Sequence, residues 1–93
     1  MTDDPPLVIG IPWYRREDYP AVLAIMHDAQ LLPSTWEEWH EIAERVERDM
    51  KASDHLVIRI AIDPETFPAW CLAHGLNVDA EARSRFAAEA TRR

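Results

Sequence analysis

Residues 13–16, Trp-Tyr-Arg-Arg, put two aromatic rings and two guanidinium groups directly after a short apolar run. If Trp13 and Arg16 face one groove, they offer an aromatic wall and a fork of N–H donors for a carboxylate or phosphate. The plainer alternative is that Trp13 and Tyr14 cover the end of a helical layer while Arg15 and Arg16 pair with Glu17, Asp18 or another acidic face. Arg59 joins this group because it interrupts an otherwise apolar strand, although it could equally point to solvent from an open sheet face. His40-Glu41-Ile42-Ala43-Glu44 stands one letter from the H-E-x-x-H zinc signature, with glutamate in the second histidine's place. On a helix, His40 and Glu44 lie one turn apart, but no further histidine follows at ligand spacing, so no metal is expected. Cys71 and His74 have the spacing of an activated thiol, yet both share an apolar stripe with Phe67 and Trp70, which points to packing. Asp63 and Glu65 suit a helix cap and a first-turn acid better than paired catalytic carboxylates. Only Gly10 and Gly75 are present, so a glycine-rich phosphate loop is excluded and no nucleotide cofactor is expected.

These residues have to be placed by a few short elements. Residues 7–11, Leu-Val-Ile-Gly-Ile, read as a strand that Pro12 ends. Glu17 or Asp18 can cap a helix with Pro20 in its first turn, and Tyr19, Val22, Leu23 and Met26 form its apolar stripe. Ser34 or Thr35 followed by Glu37 or Glu38 is a capping box that opens the longest helix. Trp36, Trp39, Ala43, Val46 and Met50, flanked by Ile42, give that helix one buried face. Its other face carries Glu41 with Arg45, Glu44 with Arg48 and Glu47 with Lys51, each pair at i, i+4. Residues 55–62 read as a second strand. Asp63-Pro64 then opens a third helix that Gly75 stops, and a fourth starts near Asn77 or Asp79 and turns Ala82, Phe86 and Ala90 inward.

The expected order is therefore β-α-α-β-α-α, an α+β fold with four helices on a small two-stranded sheet. Counting two helices as an out-and-back pair predicts antiparallel strands. A two-stranded sheet has exposed edges and little stability alone, so its extension by a second copy across a twofold axis is expected. The chain of 93 residues suits a single domain, 1–93, with residues 1–6 as a flexible tail.

Ten basic against 17 acidic residues give a formal charge of −7, which opposes binding to nucleic acid or an anionic membrane. No apolar run approaches the ~20 residues of a membrane span, and the N-terminus lacks a signal-peptide pattern. With a lone cysteine, these features predict a soluble cytoplasmic protein.

The strings I-P-W-Y-R, L-P-S-T-W-E-E-W, I-D-P, F-P-A-W-C and F-A-A-E, spread from Ile11 to Glu89, resemble a group of short bacterial proteins to which no activity is attached. The resemblance implies a stand-alone bacterial domain and brings no catalytic residue or cofactor. The expectation for function is a non-enzymatic interaction or accessory module acting as a homodimer, with Trp13, Tyr14, Arg15, Arg16 and Arg59 as its contact residues and another protein as a further partner. The alternative is a small enzyme or binding protein for an anionic small molecule, with a pocket between subunits.

Overall fold

The computed structural model describes residues 7–92. The tail expected at residues 1–6 lies outside them. Two strands and four helices follow in the order β1 (Val8–Trp13), α1 (Tyr19–Ile25), α2 (Trp36–Ala52), β2 (Leu56–Ala61), α3 (Phe67–Ala73) and α4 (Ala80–Ala90), with 3-10 turns at Arg16–Asp18 and Ala29–Leu31. The fold is α+β, with a sheet of two strands. No helix among the described residues is long and apolar enough to cross a membrane.

The strands are parallel, from Val8 beside Leu56 to Trp13 beside Ala61, which corrects the antiparallel expectation. The reason is length. A helix of 17 residues rises about 25 Å, enough to carry the chain back along a six-residue strand of about 20 Å. The seven-residue α1 is too short to form a second leg. It packs instead past the carboxyl ends of the strands, where Tyr14, Tyr19, Val22, Met26, Trp39, Ile62, Phe67, Cys71 and Ala82 form the core. β1 also runs on through Pro12, which a strand tolerates where its missing N–H would face away from the neighbouring strand.

Local signals act where local bonds suffice. The Thr35 hydroxyl accepts from the Glu38 N–H at 3.2 Å and starts α2, and Asp79 accepts from the Ala82 N–H at 3.2 Å and starts α4. Asp63 caps a turn through the Glu65 N–H at 2.9 Å, so α3 begins later, at Phe67. Gly75 ends that segment with φ +67°, the left-handed region that glycine enters without strain.

The register assigns the sheet faces. Val8, Gly10 and Pro12 share one face with Leu56, Ile58 and Ile60, while Ile9, Ile11 and Trp13 share the other with Val57, Arg59 and Ala61. α4 packs on the first face against β1, where a Cβ on Gly10 would fall 2.3 Å from the Ala87 carbonyl oxygen. That approach requires glycine. α2 covers the second face through Trp39 and Glu47, which meet Trp13 and Arg59. Beyond α4 the first face lies open: Leu56 is 56% exposed, and Val8 and Ile58 are 45% exposed.

Candidate functional site

The end of β1 and the start of α2 build a ladder of three stacked or edge-on rings between two guanidinium groups. The Arg59 guanidinium lies over the Trp13 ring at 3.9 Å, and Trp13 stands edge-on to His40 at 5.6 Å. His40 stacks on Trp36 at 4.3 Å, and Arg16 lies 5.3 Å from the centre of the Trp36 ring. The spacing of α2 accounts for the middle rungs, since Trp36 and His40 are one turn apart on one face. Carboxylates close both ends. Glu47 takes two bonds from Arg59, each 2.7 Å, and Glu37 pairs with Arg16.

The ladder changes the roles expected from the sequence. Trp13 and Arg59 do meet, but Arg16 sits at the opposite end, with His40 and Trp36 between it and Trp13. Tyr14 is core: 2% exposed, its ring lies 4.7 Å from Trp39, and its carbonyl accepts from the Trp36 indole N–H at 3.0 Å. Burial pushes its hydroxyl up to about 12. Arg15 points elsewhere and donates to Asp18 at 2.9 Å. Within one chain Arg16 therefore stands apart from Trp13 and Arg59, and each of the three arginines holds a carboxylate.

The other pairings expected along α2 are met in part. Glu47 meets Arg59 rather than Lys51 as its bonded partner, Glu44 approaches His40 at 3.5 Å rather than Arg48, and Glu41 reaches Arg45 only at 3.9 Å. The Arg59 bonds hold the Glu47 carboxyl below its ordinary range despite opposing burial. Cys71 is fully buried, and burial raises its thiol pKa, the reverse of an activated nucleophile. His74 is exposed, stacked on Trp70 at 4.1 Å, and does not share the buried face expected for it. Among the described residues, no group of three or more His, Cys, Asp or Glu is placed to hold a metal ion.

The sequence reading missed a buried pair. Arg83, 7% exposed, donates to both Asp28 oxygens at 2.8 and 2.9 Å and so ties α4 to the turn after α1. The signal was available: Arg83 occupies an inward position of an alanine-rich helix, and a charge there needs a partner. It also missed two apolar surfaces. One is the open patch of Val8, Leu56 and Ile58. The other is a groove of about 440 Å³ beside β1, walled by Ile9, Ile11, Trp39, Ile42, Val46 and Met50.

Comparison with protein-family models, curated proteins and solved structures returns no match, so function has to be argued from this chain's own residues.

Proposed function

We propose that this protein is a non-enzymatic protein–protein interaction module that works as a homodimer. The observation that carries this is the unfinished sheet: among the described residues it has two strands, each with an open edge, and an aliphatic patch of Val8, Leu56 and Ile58 that no helix covers. Open edges of this kind template the pairing of another strand. Burying the exposed halves of Leu56 and Ile58 contributes about 1 kcal/mol each per copy, and association costs at least about 4 kcal/mol. The apolar patch alone therefore roughly breaks even. Backbone bonds along an edge supply the surplus and the orientation.

The alternative of a pocket for an anionic small molecule between subunits has less support, because Arg15, Arg16 and Arg59 are each paired with a carboxylate. We assign the module to the cytoplasm, a location that suits its single, buried cysteine. The test is molar mass by light scattering across a concentration series. The expected result is twice the 10.8 kDa of one chain, falling toward 10.8 kDa on dilution. One chain's mass at every concentration overturns the proposal.

A further inference from the structure

The two sheet edges are not equivalent. The Leu56 N–H donates to the Leu7 carbonyl at the start of the ladder, and the Ile62 N–H donates to the Trp13 carbonyl at its end. In a parallel pair this fixes which peptide groups point outward: those of Val8, Gly10 and Pro12 on β1, and those of Val57, Arg59 and Ala61 on β2. On β1, Pro12 has no N–H to offer. In addition, α4 sits on β1 at Gly10 and scarcely reaches β2.

On β2, each outward residue offers both a donor and an acceptor, and the face over Leu56 and Ile58 is uncovered. On the opposite face, Glu44 and Arg48 lie beside Glu47 on the flank of α2 away from Ile42 and Val46. Arg48 makes no ion pair among the described residues, and Glu44 approaches His40 at 3.5 Å with the Arg59 charge nearby. An acid and a base one turn apart on this flank are self-complementary across a twofold axis.

We propose that the partner at β2 is a second copy of this chain, paired antiparallel with Ile58 opposite itself on the twofold axis, so that the sheet runs β1-β2-β2-β1. The inference rests on the homodimer reading and specifies its interface. In this register Val57 exchanges both backbone bonds with the partner's Arg59, and Leu56 faces the partner's Ile60. Sliding the axis to Arg59 would set two guanidinium groups opposite each other, which like-charge pairing disfavours.

Single cysteines test it. Ile58→Cys should convert to a disulfide-linked dimer on mild oxidation, while Ile9→Cys, on β1 with its own peptide groups likewise turned toward the other strand, should not; the buried Cys71 stays silent in both. Val57→Pro removes only an outward N–H, leaves the β1–β2 ladder intact, and should weaken self-association about tenfold or more. Linkage through Ile9→Cys alone, no linkage through either, or no effect of Val57→Pro, in protein that scatters as a dimer, overturns this interface and leaves the homodimer standing. A parent that scatters as a monomer overturns both.

Discussion

Replacing Gly10 with alanine tests the seat of α4 on β1. The added Cβ falls 2.3 Å from the Ala87 carbonyl oxygen and 2.7 Å from Thr91 Cγ2. Relief requires α4 to lift by roughly 1 Å, because the nearer obstacle is backbone within the helix and cannot rotate away. Overpacking of this kind costs about 1–3 kcal/mol, and a backbone obstacle belongs at the upper end. Alanine restores about 0.4–1 kcal/mol by restricting the unfolded chain, which leaves a net loss of about 2 kcal/mol. For a domain of this size, that lowers the melting temperature by about 8–16 °C. The assays are thermal melting by circular dichroism and urea unfolding followed by tryptophan fluorescence. Thr91→Ser, added to Gly10→Ala, removes the lesser contact and should recover less than half of the loss. A Gly10→Ala protein melting within about 2 °C of the parent would refute this packing.

Arg83→Met leaves the Asp28 carboxylate unpaired and should cost about 2–3 kcal/mol, somewhat less than a wholly buried pair because Asp28 lies near solvent; Asp28→Asn added to it should recover part, and urea midpoints giving simple additivity would refute the coupling. Arg83 bonds hold Asp28 below its ordinary range as Arg59 bonds hold Glu47, so the stability these carboxylates supply is present above about pH 4.5 and lost as pH falls through their folded values. Urea midpoints should hold steady from about pH 7 to 5 and drop below, with a shallower drop in Glu47→Gln. At the other extreme, burial raises both Tyr14, to about 12, and Tyr19, so their contribution is present below pH 10 and is lost as pH rises toward 12. Phenolate absorbance should therefore appear only with alkaline unfolding; half of it developing at pH 10 in folded protein would contradict the burial.

What could be read from the sequence was what short-range chemistry decides. Thr35 and Asp79 cap their helices because a side chain three residues before an amide reaches it whatever the rest of the chain does. The strand direction was misread because counting helices ignores their lengths, and only α2 is long enough to return the chain. Glu47 was given to Lys51 by helical spacing, whereas the fold brings Arg59, 12 residues away, into two-bond contact. Arg59 itself stood out as a charge in an apolar strand, but its partner and its ring lie on two different elements. Trp13 and Arg16 are neighbours in the chain and far apart in the ladder, because the strand ends between them and α2 inserts Trp36 and His40. The open patch went unseen because alternation places Leu56 and Ile58 on one face without saying whether a helix covers it.

The parallel pairing also sets an order of events during synthesis. β1 emerges first, yet its partner strand begins 48 residues later, from Val8 to Leu56, and α4 comes later still. At about 5–20 residues per second, the ribosome leaves Val8-Ile-Gly-Ile11 without its strand for roughly 2–10 s. The capped α2 and its aromatic neighbours can form in that interval from nearby sequence, whereas closure of the sheet has to wait for a long loop. Folding of this domain is therefore timed by the arrival of its middle and last segments, and its first strand is the last part to become secure.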